Sequence, residues 1–331
     1  MSNDILFLAE FSAGKAARSA LELATGAAEL ASQSGGSAVA LAYGAGAASG
    51  AAALGAHGAA RAIVLGDEDQ PAITYAPAAV AAARDGGLAV LAPATPNGRD
   101  LAAALVGSLD LPAFGPVRAA RVVDGVLESE QATLQGSVIT TARPAEGAPS
   151  PSVVLVLANT FTPAEGGSGS AEVSQAPEAG ESALSRAAVA ERHEADAKVV
   201  NLEEATVIVA GGRGVGGEDG FGPLRELAEA LGGAVGASRA AADAGWIPYQ
   251  LQIGQTGKVV KPSLYIGAGI SGAIQHRVGM QTAEHVIAVN RDPDAPIGEF
   301  ADLFVVGDLF QIIPALTEEI RRRKTASGGQ G

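Results

Sequence analysis

The sequence contains no cysteine, only two methionines and one tryptophan, and aromatic residues make up 4% of it. Without cysteine, the chain has no disulfide, no thiolate nucleophile, no cysteine-ligated zinc and no iron–sulfur cluster. Any redox chemistry carried out by this chain must therefore come from a bound cofactor.

Basic residues are also scarce, with 22 Lys and Arg against 36 Asp and Glu and a formal net charge of −14. This balance argues against nucleic acid or an anionic membrane as the main partner. Residues 30–60 carry no charge, but they are mostly Ala interrupted by Gly, so we do not expect a membrane span. The N-terminus, MSNDILFLAE, lacks the charged start and long apolar core of a signal peptide, which predicts a cytoplasmic protein.

The first part of the chain alternates predicted strands and helices, a pattern typical of a parallel sheet covered on both faces. The predicted strands are residues 5–9, 38–43, 62–65 and 89–91, and the predicted helices are 16–32, 76–83 and 101–108. From Ala119 onward, short strands follow one another with no helix pattern between them. We expect them to form an antiparallel extension of the sheet, with residues 153–157 as a final strand.

A length of 331 residues suits two domains of ordinary size. Residues 163–198 are rich in Gly, Ser, Ala, Pro and Glu, which predicts mostly a surface connection, with a short helix around 184–191. We therefore predict an N-terminal α/β domain over residues 1–200 whose last part, about 163–200, is a linker. A doubly wound domain is expected over 201–320, then a flexible basic tail over 321–331, with a mobile hinge near residue 200.

The second domain contains two glycine-rich turns, each preceded by a predicted strand and followed by a predicted helix. GGRGVGG follows strand 206–210, and GAGISG, with the spacing G-x-G-x-x-G, follows strand 264–266. Such a turn brings backbone N–H groups to a helix N-terminus, which favours an anion such as a pyrophosphate. Both turns are expected at one crevice, because loops at the carboxyl ends of parallel strands meet where the strand order reverses. Arg213 in the first turn can pair with a phosphate.

These residues alone leave the ligand open. Glycines at this spacing also occur in purely structural turns, and the chain has 44 glycines. Asn290 and Asp292 lie about 20 residues past the second turn, where ribose contacts occur in dinucleotide folds. A nicotinamide-dependent dehydrogenase would need a general acid or base, for which His276 is the best candidate. A non-redox module that binds adenine nucleotides is a further alternative.

Five blocks in fixed order closely resemble the FAD-binding domain of the alpha subunits of electron-transferring flavoproteins. They are GGRGVGG, GASRAAADAGWIP, QIGQTGKVVKPSLYIGAGISGAIQHRVGM, VNRDPDAPI and ADLFVVGDLFQIIPAL. The resemblance spans about residues 205–320. The first half resembles the N-terminal domain of that family more loosely.

The resemblance implies one FAD held by the second domain and a heterodimer with a beta subunit. It also implies an electron carrier rather than an enzyme with its own substrate. Such a carrier accepts electrons from soluble dehydrogenases, such as the acyl-CoA dehydrogenases of fatty acid oxidation, and passes them to a membrane-bound quinone reductase. The chain itself is expected not to be a membrane protein.

The resemblance also implies which positions contact FAD. They are Arg213, Ser238, Arg239, Ile253, Gly254, Gln255, Thr256, Ser271, Gly272, Ala273, Ile274, Gln275, His276, Asn290, Asp308 and Leu309. Arg239 and His276 match residues that lie against the isoalloxazine, and Thr256 matches one that bonds near N5. A reduced flavin carries negative charge around N1, so a cation above the ring and a donor at that edge would stabilise it.

Some of these residues have a structural alternative. His276 also fits a buried histidine with satisfied ring nitrogens, and Ser238 fits a helix cap. The sequence departs from the family pattern at Arg277, where an aliphatic residue is common, and at Gly298, where an aromatic is usual. His57 and the remaining histidines have no partners at metal or triad spacing, so we predict no metal site and no catalytic residue.

Overall fold

A computed structural model of the chain describes residues 2–84, 86–134, 138–164, 166–180, 182–191 and 201–327. The chain divides into two compact units, Met1–His193 and Glu194–Gly331. The hinge expected near residue 200 falls at residues 192–200, which lie outside the described residues.

The N-terminal unit is built on a parallel sheet. Its strands are β1 (Ile5–Ser12), β2 (Lys15–Ala16), β3 (Ala38–Gly44), β4 (Arg61–Gly66), β5 (Ala89–Pro93), β6 (Ala113–Val117), β10 (Ser152–Val156) and β11 (Glu172–Gln175). Seven of them follow one another in the order β11-β4-β3-β1-β5-β10-β6, and the short β2 pairs with β1. All pairs are parallel except β1 with β2.

Helices cover both faces of this sheet. They are α1 (Arg18–Ser34), α2 (Ala47–Gly50), α3 (Ala76–Ala83) and α4 (Pro96–Leu109). The alternation of side chains along β1 divides the core, because successive residues of a strand point to opposite faces. Phe7 packs in the same cluster as Leu23 of α1, whereas Leu8 packs in the cluster that contains Leu101 of α4.

The remaining strands of this unit are antiparallel. β7 (Ala119–Val123), β8 (Val126–Thr133) and β9 (Val138–Ala142) form a three-stranded sheet of their own. The predicted fold class is confirmed: a mainly parallel N-terminal sheet with antiparallel strands, and a doubly wound C-terminal domain. The antiparallel strands form a separate sheet rather than an extension, and β10, which was expected among them, pairs in parallel with β5 and β6.

The C-terminal unit contains a five-stranded parallel sheet. Its strands are β12 (Val207–Gly211), β13 (Ala234–Ala237), β14 (Leu264–Ala268), β15 (His285–Asn290) and β16 (Leu303–Val306). Its helices are α5 (Gly222–Leu231), α6 (Arg239–Asp243), α7 (Ile274–Met280) and α8 (Leu309–Ser327). The strand order is β13-β12-β14-β15-β16, so the direction of winding reverses between β12 and β14.

One strand lies inside the segment expected to be mostly a surface connection. β11 pairs in parallel with β4 at the edge of the N-terminal sheet, and all four of its residues are exposed. Because an exposed edge strand has no buried face, its sequence EVSQ shows no apolar alternation. The helix expected around 184–191 is only a 3-10 turn, Leu184–Arg186.

The basic residues near the C-terminus are helical rather than part of a flexible tail. α8 continues to Ser327, and Glu319 forms ion pairs with Arg322 and Arg323, three and four residues further along the helix. Such spacing places side chains on one helix face. Residues 328–331 lie outside the described residues. In the described part of the chain, no helix has the length and apolar composition needed to cross a bilayer.

Candidate functional site

A cleft of about 700 Å³ opens in the C-terminal unit at the carboxyl ends of β12 and β14, where the winding reverses. Doubly wound sheets bind ligands at this place. The structure brings together eight of the residues that the sequence predicted for a site. They are Arg213, Ser238, Arg239, Ser271, Ala273, Gln275, His276 and Asn290.

The two glycine turns form one wall of the cleft and are bonded to each other. Gly212 N–H donates to the Ala268 carbonyl at 3.0 Å, and Gly214 N–H donates to the Gly269 carbonyl at 2.9 Å. A Cβ atom at Gly212 would lie 2.3 Å from the oxygen of Gly269. Glycine is therefore required at Gly212 for the two turns to approach so closely.

Ser238 lines the cleft and has a buried, unpaired hydroxyl. It precedes α6 and its N–H donates to the Gly211 carbonyl at 2.9 Å, but its side chain makes no capping bond to the helix. Its Oγ is buried and has no hydrogen-bond partner among the described residues. A buried hydroxyl without a partner is costly, so this atom points to a ligand that would satisfy it.

Two guanidinium groups line the cleft. Arg213 lies in the first turn, and its side chain makes no ion pair or hydrogen bond to any described residue. Arg239 at the start of α6 donates through Nε to Asp243 Oδ2 at 3.3 Å, and the Tyr249 hydroxyl donates to Asp243 Oδ1 at 3.0 Å. The hydrogen bond to Asp243 raises the pKa of Tyr249. The terminal nitrogens of both arginines remain available to an anion.

His276 lines the cleft but is 6% exposed, and both of its ring nitrogens are bonded. Nδ1 lies 3.1 Å from the Ile253 carbonyl oxygen, and Nε2 lies 2.6 Å from the Tyr265 hydroxyl. Burial lowers the pKa of His276 to about 4, although the bond to Ile253 acts in the opposite direction. The ring is therefore neutral near pH 7. In this arrangement it has no unbonded N–H for a ligand, so donation to a flavin would require one of these bonds to change.

Comparison with known proteins assigns both units to one family. The profile described as the electron transfer flavoprotein domain matches residues 5–181, more than half of the chain. The profile described as the electron transfer flavoprotein FAD-binding domain matches residues 201–281. The chain belongs to the electron transfer flavoprotein family.

Several relatives carry the name electron transfer flavoprotein subunit alpha. The protein of Thermoanaerobacterium thermosaccharolyticum is 62% identical over 126 residues, which cover 38% of this chain and 38% of the relative. That of Mycobacterium leprae is 62% identical over 124 residues, covering 38% of this chain and 39% of the relative. That of Bacillus subtilis is 60% identical over 123 residues, covering 37% and 38%. The aligned stretch thus spans well under half of each relative.

FAD is the cofactor of this domain family, and the cleft of this flavoprotein fits it. The Ser238 hydroxyl needs a partner, Arg213 offers an uncompensated charge, and the paired glycine turns bring backbone to the cleft without side chains. Phosphate and polar ring edges satisfy such groups. In the described part of the flavoprotein, no group of three or more metal-ligating side chains is arranged for a metal ion.

The other predicted contact residues of the flavoprotein are not among those that line the cleft: Ile253, Gly254, Gln255, Thr256, Gly272, Ile274, Asp308 and Leu309. The first four form a segment packed against the start of α7. Gln255 N–H donates to the Gln275 carbonyl at 2.8 Å, and Gln252 donates to the exposed Thr256 hydroxyl at 3.0 Å. The Thr256 hydroxyl still has its own hydrogen to donate.

Asn290 and Asp308 have clear structural contacts. Asn290 Nδ2 donates to the Ile270 carbonyl at 2.9 Å, which holds the second glycine turn. Asp308 accepts from Phe310 N–H at 2.9 Å, so it caps α8, and from Arg291 at 2.6 Å. These bonds lower the pKa of Asp308. Leu309 is buried in the core beside them.

Three residues that the structure connects to the site were not predicted from the sequence. Asp243 accepts from Arg239 and from the Tyr249 hydroxyl, and Tyr265 bonds the side chain of His276. The spacing of four residues between Arg239 and Asp243 on one helix is a sequence signal that predicts an ion pair between them. No sequence signal separated Tyr265 from an ordinary apolar residue of β14.

Proposed function

We propose that this chain is the alpha subunit of a heterodimeric electron carrier, with FAD bound in the cleft of the C-terminal unit and a beta subunit as its partner. Soluble dehydrogenases, such as acyl-CoA dehydrogenases, are the proposed donors, and a membrane-bound quinone reductase is the proposed acceptor. The proposal gives the chain no substrate chemistry of its own. The names of its relatives support the assignment as an alpha subunit.

The observation that carries the proposal is the unpaired, buried hydroxyl of Ser238, a residue that lines the cleft beside the two glycine turns. A nicotinamide-dependent dehydrogenase would need a proton donor or acceptor in this cleft. His276 cannot serve as one in the present geometry, because both of its nitrogens are already bonded within the protein. The cleft instead offers groups that bind and polarise a ligand.

The proposed contacts divide by chemistry. Arg213 and the backbone of the second turn, including Ser271 and Ala273, suit phosphate oxygens. Ser238, Gln275 and Asn290 suit polar edges of the cofactor. The remaining predicted residues, in the segment 253–256 and at positions 272, 274, 308 and 309, are proposed to complete the site or support it from behind. Bound FAD supplies the capacity to store electrons.

Arg239 is the proposed electrostatic residue. Its guanidinium is bonded to Asp243 through Nε only, so its terminal nitrogens can face a ligand in the cleft. A reduced flavin gains negative charge, and a nearby cation stabilises that form. Arg239 is therefore expected to raise the FAD midpoint potential.

The test is to produce the chain together with a candidate beta subunit and measure its absorption spectrum, FAD content and midpoint potential. We expect one FAD per alpha chain, reducible by an acyl-CoA dehydrogenase in the presence of its substrate. S238A should weaken FAD binding about tenfold, as expected for one lost hydrogen bond. R239A should lower the midpoint potential.

R225A is the matched control, because Arg225 lies in the same unit but over the Phe221 ring, at 5.9 Å, and does not line the cleft. It should leave FAD content and potential unchanged. A protein that retains no flavin, is not restored by added FAD and binds a nicotinamide or adenine nucleotide instead would contradict the proposal. Failure to copurify with any beta subunit would contradict the heterodimer.

A further inference from the structure

Tyr265 lies behind the cleft and connects to it through His276. It is the second residue of β14, the strand that leads into the second glycine turn, and its side chain is fully buried. Among the described residues, its hydroxyl bonds only His276, at 2.6 Å from Nε2. Tyr265 does not itself line the cleft.

The partners of His276 determine which ring nitrogen carries the hydrogen. The Ile253 carbonyl can only accept, so Nδ1 must carry a hydrogen to make the 3.1 Å bond. A neutral imidazole then has an unprotonated Nε2, which accepts from the Tyr265 hydroxyl. Each group in this chain of bonds is satisfied in one arrangement only.

Protonation of His276 would disturb this arrangement. Nε2–H would have to donate to the Tyr265 oxygen, and the tyrosine hydrogen would then point into the core cluster around Tyr265, which includes Ile253, Ile270 and Met280. An unpaired hydroxyl hydrogen in such surroundings is costly. The tyrosine therefore opposes the charged form of the imidazole in addition to the effect of burial.

Other charged groups share the cleft with His276. They are Arg213 from the first turn, Arg239 and Asp243 from α6, and Asp292 after β15. Arg277, next to His276 on α7, turns to the Phe300 ring, 4.8 Å from its centroid. With His276 neutral, the positive charges of the cleft belong to the two arginines.

We propose that Tyr265 is a positioning residue that acts through His276, holding the imidazole in its uncharged Nδ1–H form and leaving the positive charge toward FAD to Arg213 and Arg239. This inference rests on the proposed function, since it takes the cleft as the FAD site. A residue outside the cleft, Tyr265, thus controls the charge inside it.

The test observes His276 directly by NMR of the full chain, produced with its beta subunit and labelled with ¹⁵N at histidine. The signal is assigned by its absence in H276Q. In the wild-type protein, with or without FAD, we expect a single Nδ1–H form that does not titrate between pH 5.5 and 8. In Y265F, the Nε2 resonance should move to the position of an unbonded nitrogen and the titration midpoint should rise.

A second readout separates a charge effect from a packing effect. The FAD midpoint potential of Y265F should match the wild-type value at pH 8 and exceed it increasingly toward pH 5.5, because His276 then gains positive charge near the reduced flavin. Lost packing alone would shift the potential equally at both pH values. Y43F is the matched control, since it removes a buried tyrosine hydroxyl in the other unit.

The proposal is overturned if wild-type His276 is charged or carries its hydrogen on Nε2 near pH 7, or if Y265F leaves the nitrogen signals and titration unchanged. It is also overturned if Y43F has the same effect as Y265F. If the wild-type protein binds no FAD, the proposed function fails on its own, and the spectra of the FAD-free protein still decide whether Tyr265 sets the state of His276.

Discussion

The two units of this flavoprotein share a parallel sheet with helices on both faces, but they differ at the carboxyl ends of their central strands. The N-terminal unit also has packed glycine turns here, since Gly14 N–H donates to the Ala45 carbonyl at 3.0 Å and a Cβ atom at Gly46 would lie 2.3 Å from Gly14 N. Its polar side chains at this position, however, bond one another. Glu10 on β1 accepts from Asn97 at 2.7 Å and from Tyr43 at 3.4 Å. Asp67, just after β4, accepts from Ala48 N–H at 2.8 Å. Polar groups at this end are thus satisfied within the unit.

In the C-terminal unit, the corresponding position also has glycine turns, but polar side chains beside them are unsatisfied. Gly212 and Gly269 hold the two turns together, the Ser238 hydroxyl is buried without a partner, and Arg213 has no ion pair among the described residues. The same sheet architecture therefore gives an end where polar side chains bond one another, and a cleft where the Ser238 hydroxyl and the Arg213 guanidinium have no partner among the described residues. The location is set by the fold, and the side chains decide its use.

The largest expected effect is that of G212A, which adds a side-chain atom where the two glycine turns of the C-terminal unit touch. The new Cβ would lie 2.3 Å from the Gly269 oxygen, so the two turns must separate. We expect a destabilisation of about 3 kcal/mol and loss of bound FAD. Thermal or urea unfolding and the ratio of flavin to protein absorbance measure the two effects.

G217A is the control in the same loop, because a Cβ there meets no atom within 4 Å. It should keep both stability and FAD. If G212A retained FAD with an unchanged unfolding midpoint, the close approach of the two turns would not be what forms the cleft.

The second effect concerns His276, the buried neutral histidine that lines the cleft of the C-terminal unit. The pKa of His276 is lowered from 6.5 to about 4 by burial, so between these values the unfolded chain binds a proton that the folded chain does not. Stability is therefore fully present above pH 6.5 and falls as the pH falls toward 4. At pH 5, proton binding by the unfolded chain lowers the free energy of unfolding by about 2 kcal/mol relative to neutral pH.

Urea unfolding at pH 7 and pH 5 measures this loss, and H276Q should reduce it by about that amount. H285Q is the matched control, because the His285 side chain is 72% exposed in the same unit, and it should keep the wild-type dependence on pH. An equal loss in wild type and H276Q would mean that His276 is not held neutral in the folded protein.

The sequence predicted the elements that have strong local signals. The helix predicted at residues 76–83 is α3 as observed, and the strands before both glycine turns lie within two residues of their predicted ends. These strands are short apolar runs that end in glycine, so both their type and their ends are encoded locally. The expectation that the two turns face one crevice follows from the parallel topology and agrees with the bonds between them.

Contacts between residues far apart in the sequence could not be predicted in this way. Tyr265 and His276 meet because a strand and a helix pack side by side, and sequence pattern shows only an apolar strand and a helical histidine. The role of Asp308 as a cap of α8 was also missed, although aspartate before a helix is a common start signal. Edge strands such as β11 lack a buried face and so lack a pattern.

The smallest expected effect tests the N-terminal unit, where polar side chains at the carboxyl ends of the strands bond one another. N97A removes the donor to Glu10 Oε1, a partly buried carboxylate oxygen, and we expect a loss of about 1 kcal/mol in unfolding free energy. FAD content should stay at the wild-type level, because this residue only satisfies a neighbour within its own unit. Y43F, which removes the longer bond to the other oxygen of Glu10, should cost less than N97A. A reduced FAD content in N97A at unchanged stability would show that the side chains at this end take part in cofactor binding, and the contrast between the two sheets would then fail.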